Sequence, residues 1–324
     1  MSKIANIQVM RGFAALAVTF FHIAGTQRKE GFDTWIFFPF RNWGSWGVDL
    51  FFIISGYVMA VSLGKNSQSS TRFLLKRFIR IYPLYFFLTV LFCLTSIIAP
   101  KLFSSFSLEF DWFMASLTMT SGVLGFGEPI LGQGWTLEFE ALFYILIAVV
   151  IYFKQSKRLE LLTSLFLLGL CLFGVNTIIL EFSFGMLLAK FRREVQKLHR
   201  YRLIIIWFGI TTLLMQLIHG VETLPRFVSF GIPCLLIFLG FILITPTRSK
   251  VLLYLGEISY SIYLIQFFII PACFKFFKVS TQSAFLGDIR GVSAVLLIIG
   301  SSHLTHKFIE VRCAIFLKRV FKLN

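Results

Sequence analysis

The sequence predicts an all-α, polytopic transmembrane helix bundle with about ten membrane-crossing helices and both termini in the cytoplasm. Three observations predict it. Of 324 residues, 57% are hydrophobic and only 14% charged, with a mean hydropathy of +0.83; soluble domains carry about 25% charged residues. The apolar residues gather in runs long enough to cross a bilayer and too uniform around the helix for amphipathic surface helices. The basic residues also sort by side: 23 of the 31 fall at the two ends or in alternate connectors, as the positive-inside rule requires.

The first run, 7–26, follows only Lys3 and has no convincing cleavage site. It reads as a retained helix rather than a signal peptide. The second, 43–63, enters from outside and carries GVDLFFIISGY. The third, 81–99, begins beyond the basic stretch RFLLKRFIR, where Pro83 kinks or starts it. Residues 100–134 form the longest connector. Its stretch WFMASLTMTSGVLGF is too broken by Ser, Thr and Gly to span, and fits a re-entrant or interfacial segment lining a site. Helices follow near 135–153, 161–177 and 179–191, the last two nearly merging at Asn176, then near 203–219, 227–245, 251–271 and 289–310. Both tails are short, so residues 1–324 are expected to form one integral membrane domain. The five Cys (93, 171, 234, 273 and 313) lie in or beside apolar runs without a CxxC pair. They read as packing residues, not as a disulfide framework or zinc site. The net charge of +16 does not point to nucleic acid, because the charges cluster in short connectors.

Polar residues inside these runs are the functional candidates, since ionisable groups in hydrocarbon are costly and usually face a polar cavity. Arg11 and His22 are eleven residues apart. About 100° per residue brings them within roughly 20° of one face, about 16 Å apart along the axis. Counting residues from the expected helix ends places Arg11 near the cytoplasm. His22, Asp49 and Glu140 all fall in the outer half. A carboxylate there would orient the imidazole and make it a usable general base. Arg77 and Arg80 lie one turn apart on one face, and paired guanidiniums suit phosphate. Tyr260, Tyr263 and Gln266 repeat every three residues as a polar stripe.

Each candidate has a plainer reading. Arg11, Arg77 and Arg80 could be snorkelling anchors, as Arg72 and Lys76 are read here. Asp49 and Glu140 could be interfacial groups in contact with water, Glu138 faces solvent or caps its helix, and His22 could be a hydrogen-bonded packing residue. His303 and His306 have metal-compatible spacing but only Glu310 beside them, and read as a cytoplasmic helix end. His199 and His219 read as loop residues.

The blocks IQVMRGFAALAVTFFH, GVDLFFIISGYVMA, RFIRIYPLYF, GWTLEFEALFY, FSFGMLLA and GEISYSIYLIQF together resemble the acyltransferase-3 family of membrane acyltransferases. They occur in the family's order and cover nearly the whole chain. The opening is similar to the exopolysaccharide acetyltransferase branch. The resemblance implies a multi-pass protein of the bacterial inner membrane that takes an acyl group, usually acetyl, from cytoplasmic acyl-CoA. It places that group on a hydroxyl of an exopolysaccharide, O-antigen or capsule unit. It implies that His22 is the catalytic histidine and Arg11 its partner. Arg77 and Arg80 match the family's basic motif, and Glu140 the glutamate of its tryptophan-led block. Trp135, Tyr260, Tyr263 and Gln266 would line the substrate path. Two positions depart from the pattern: Gln266 stands where a His is common, and Glu138 adds a carboxylate. The SGNH-type domain of some relatives has no counterpart.

The resulting expectation has Arg77, Arg80 and Arg11 holding the phosphates of acetyl-CoA, with no metal. The acyl arm reaches His22, which is oriented by Asp49 or Glu140. His22 acts as a general base or carries the acyl group, and the residues leave both open. The expected partners are a glycan acceptor and membrane lipids, with a homo-oligomer compatible and no nucleic acid. A transporter or flippase of a glycan or lipid intermediate is the alternative, although no internal repeat or matched broken helices support it. A non-catalytic assembly or sensor protein is a further rival.

Overall fold

The computed structural model describes residues 2–64, 68–99, 107–219, 224–275 and 283–323. Lys65, residues 100–106 of the long connector and the side chains of Lys3 and His219 lie outside the described residues. Every regular element among those described is helical. In chain order they are α1 (Ser2–Lys29), α2 (Trp46–Leu63), α3 (Ser70–Ile98), α4 (Phe110–Leu117), α5 (Trp135–Tyr152), α6 (Leu159–Leu172), α7 (Leu180–Lys190), α8 (Arg192–Lys197), α9 (Arg202–His219), α10 (Ile232–Ile242), α11 (Lys250–Glu257), α12 (Ser259–Lys275), α13 (Ala284–Thr305) and α14 (Arg312–Val320). Short 3-10 and π turns join several of them.

Among the described residues six helices are long and apolar enough to cross a membrane, and a seventh if α11 and α12 count as one bent span. The protein is therefore a multi-pass helical membrane protein. The other expected crossings are shorter. The α6 helix has 14 residues, and the segment Phe227–Ile242, with α10, is short as well. The α7 helix has 11 residues and buries Glu181, Phe182, Gly185 and Met186. A helix clothed by protein on most sides is under no pressure to present a bilayer's length of apolar surface.

Three other expectations change. The α3 helix starts at Ser70, because Ser69 caps it by accepting the Arg72 N–H at 3.3 Å. Its basic stretch is thus helical, and the helix continues through Pro83. The single helix expected over 251–271 is broken at Ile258 by a 65° bend. There the Ser259 hydroxyl donates to the Gly256 carbonyl at 2.8 Å, competing with the helical ladder. The last helix extends to residue 320 through a π turn at His306–Val311. A rod of 37 residues is about 55 Å long against a hydrocarbon core of about 30 Å, so one end stands outside it.

The α1 helix lies at the centre, enclosed by α2, α10, α11, α12 and α13. Small residues allow this crowding. A Cβ at Gly47 would overlap the Ala14 carbonyl, and one at Gly256 the Gln8 carbonyl. The α2–α7 contact is reciprocal: Gly56 meets the Phe182 carbonyl and Gly185 meets that of Ile53. Beside it Phe182 stacks between Phe52 and Phe143, at centroid distances of 4.4 and 4.2 Å.

The described part of the long connector folds back onto α3 and α5. Tyr85 donates to the Ser116 carbonyl at 2.9 Å, and the Ser116 hydroxyl accepts the Ile130 N–H at 3.0 Å. Glu138 accepts the N–H groups of Ser121 and Gly122 at 2.8 and 2.9 Å. Its carboxylate therefore pins this connector instead of facing solvent or capping its own helix.

Candidate active site

Two adjoining cavities open around the Arg11 end of α1. The inner one, about 270 Å³, lies between α1, α2, α3, α5 and α12. The outer one, about 680 Å³, lies between α1, α3, α11, α12 and the C-terminal segment. Arg11, Arg77, Arg80, Gln8 and Tyr260 line both. The structure thus brings together the three arginines expected to bind phosphate.

Their setting is electropositive. In the inner cavity three guanidiniums face one carboxylate, Glu140. Glu140 accepts hydrogen bonds from Ser55 at 3.1 Å and from the Tyr144 hydroxyl. The Arg77 guanidinium lies over the rings of Phe73 and Tyr144, at 5.6 and 5.9 Å, which fixes its plane. Its buried Nε has no hydrogen-bond partner among the described residues. A carboxylate or phosphate entering the cavity could accept from it. Arg11 donates to Gln8 Oε1 at 3.3 Å. The site therefore fits a polyanion bearing a narrower, less charged arm that enters the inner cavity.

Of the expected polar stripe, two members take part. Tyr260 donates to the Ile81 carbonyl at 2.7 Å, tying α12 to α3. The Tyr263 hydroxyl pairs with Thr136 at 2.9 Å and lines the inner cavity. Gln266 does not line it. It is fully buried, donates to the Tyr263 carbonyl at 2.9 Å, and has its Oε1 unpartnered. Trp135 does not line it either. Its ring packs edge-on against Phe139, while Thr136 and Leu137 provide the wall.

The expectation that His22, Asp49 and Glu140 meet at one depth is corrected. Glycine contacts fix the α1–α2 register. Gly44 faces Ala17 and Phe21, and Gly47 faces Ala14 and Val18. His22 thus lies beyond the start of α2, whereas Glu140 is bonded to Ser55, nine residues into that helix. The depth count assumed that α2 and α5 start at one level, whereas the Ser55–Glu140 bond pairs a residue nine positions into α2 with one five positions into α5.

Nor does Asp49 orient His22. Its fully buried carboxylate is held in two bonds by Arg226, from Nε at 3.1 Å and Nη2 at 2.7 Å. Arg226 also donates to the Ser45 carbonyl and lies over the Phe230 ring. Glu181, fully buried, adjoins this group across Gly231. His22 packs its ring against Phe21 at 5.4 Å, and among the described residues no hydrogen bond joins it to a carboxylate. Between it and Arg11, on the same face of α1, lie Ala15 and Val18, at most 2% exposed.

Sequence reasoning missed Arg226 and Glu181 as partners. Both carried a signal. Arg226 is one of the eight basic residues in the connectors expected on the outside, against the positive-inside trend. Glu181 is a lone acid in the apolar run IILEFSFGMLL.

Comparison with known proteins agrees with the architecture. A family model described as an acyltransferase domain matches residues 4–302. The exopolysaccharide production protein ExoZ of Rhizobium meliloti (strain 1021) is 32% identical over 163 residues. That match covers 46% of this chain and 51% of the relative, so about half of that protein's length is represented. No solved structure matches the chain significantly.

Proposed function

The chain belongs to this acyltransferase family, and on that premise we propose that it moves an acetyl group from cytoplasmic acetyl-CoA to a glycan hydroxyl. The acceptor in this reading is an exported polysaccharide or its lipid-linked precursor, by analogy with the exopolysaccharide-production relative. The setting is the bacterial inner membrane. The ten helical segments cross it as one domain, with both termini cytoplasmic.

The observation that carries the reading is the meeting of Arg11, Arg77 and Arg80 around one double cavity, with the buried Arg77 Nε unmatched. Arg77 and Arg80 hold phosphate oxygens, and Arg11 completes the cluster. Glu140 balances part of this charge and fixes Tyr144, which in turn carries the Arg77 plane. The inner cavity, with its Val48, Phe51 and Val58 walls, receives the acyl arm. Tyr263 and Thr136 offer it hydroxyl partners.

His22 acts toward the acceptor. As a base it removes the hydroxyl proton while the oxygen attacks the thioester carbonyl. The C–S bond breaks, and the departing thiolate takes up a proton. Alternatively the imidazole accepts the acyl group first and the hydroxyl then displaces it. Both routes require the packing at Ala15 and Val18 to open while donor is bound.

The test is labelled acetyl-CoA supplied to the cytoplasmic face of membranes containing acceptor glycan. The reading expects label in the glycan, dependent on Arg77 and His22. Glycan translocation without label transfer would favour a transporter instead.

A further inference from the structure

The C-terminal segment closes one side of the outer cavity, and the sequence marked it only as a basic helix end. Its π turn and α14 present Val311, Ala314, Ile315 and Lys318 to the cavity. These positions follow the i, i+3, i+4, i+7 spacing of one helix face. They stand opposite Lys76, Arg77 and Arg80 of α3, which α14 packs against. The π turn adds a built feature, since such turns cluster at functional sites. It brings His306 Nδ1 to 3.2 Å from Glu310 Oε2, while Glu310 Oε1 accepts the hydroxyl of the fully buried Ser261. The carboxylate is thus anchored on one oxygen with the imidazole beside the other, and His306 Nδ1 itself makes no hydrogen bond among the described residues. His306 and Glu310 both line the cavity.

We propose that this segment is the third wall of the donor site, where Lys318 and His306 bind the phosphate end of the thioester donor opposite Arg77 and Arg80. The proposal rests on the donor reading above and extends it to residues outside the family resemblance. The mixed face suits a nucleotide: the apolar residues can lie against a flat base while the cations meet phosphate. Lys318 and His306 then set which donors are accepted, those carrying the nucleotide over those lacking it.

The experiment measures binding of coenzyme A and of pantetheine, which lacks the nucleotide, to the purified full chain. Lys318→Ala and His306→Gln are each expected to weaken coenzyme A binding about tenfold and to narrow its advantage over pantetheine. Arg319→Ala, on α14 but off the cavity, serves as the control and leaves coenzyme A binding unchanged. If both variants bind as wild type does while Arg77→Ala binds poorly, the third wall is wrong and the donor reading stands. If the wild type shows no preference for coenzyme A over pantetheine, the donor reading itself fails. A loss shared by Arg319→Ala, or seen only in anionic-lipid nanodiscs and not in zwitterionic ones, would overturn the proposal in favour of headgroup anchoring.

Discussion

The two ends of α1 differ in what they leave unsatisfied. At the Arg11 end, cations from three elements face open volume, and a buried Arg77 nitrogen has no hydrogen-bond partner among the described residues. At the His22 end the packing is closed: Asp49 and Asp288 are paired, and the buried Glu181, whose oxygens have no hydrogen-bond partner among the described residues, lines neither cavity. Asp49 is clamped by Arg226. Asp288 accepts the Thr34 hydroxyl and the N–H groups of Trp35 and Ile36, and Gln27 bonds the Gly287 carbonyl at 2.8 Å. One end is built to take up a ligand, and the other is built to hold a shape. A buried charge is therefore informative according to its partners. Asp49 and Arg77 are both costly in hydrocarbon, but only Arg77 is left asking for something.

That contrast can be broken most severely at His22. Removing a positioned base typically costs about 10²–10⁴-fold in rate, so His22→Ala should reduce acetyl transfer to glycan by about that factor, read from labelled acetyl-CoA in membranes. Near-normal transfer would make the closed end purely structural. Arg226→Met should next cost about 2–3 kcal/mol of stability, because it strands the buried Asp49 charge, with the partial exposure of Arg226 moderating the loss. Thermal unfolding in detergent checks this, and Asp49→Asn combined with Arg226→Met should recover much of it. At the open end, Arg77→Ala should raise the donor KM about tenfold with a smaller change in kcat. Lys at this position should restore only part, since it lacks the planar fork; a change confined to kcat would contradict phosphate binding. The smallest effect is expected at Asp288→Asn, about 1–2 kcal/mol from weakened loop bonds, seen as faster hydrogen exchange at residues 34–36.

Much of this contrast was legible in the sequence, and the rest was hidden for physical reasons. The limits of α2, α5 and α9 follow from apolar runs bounded by polar connectors. The Arg77–Arg80 pair follows from helical spacing alone. The start of α3 was obscured because charged residues resemble a connector when helix and water-facing turn are continuous. The break at Ile258 depends on one serine hydroxyl reaching back one turn, which hydropathy does not register. Depth was the largest error. Counting from Trp135 assumed that α5 starts level with α2, which the Ser55–Glu140 bond contradicts. The partner of Asp49 is 177 residues away, a distance no local pattern spans.

The central claim is that an acyl group taken up at the open end is delivered to a glycan. It is tested most directly by the mass of the surface polysaccharide from cells with the protein, without it, and with His22→Ala. The account predicts one additional acetyl unit per modified repeat in the first case and its loss in the other two. Identical masses in all three would contradict it.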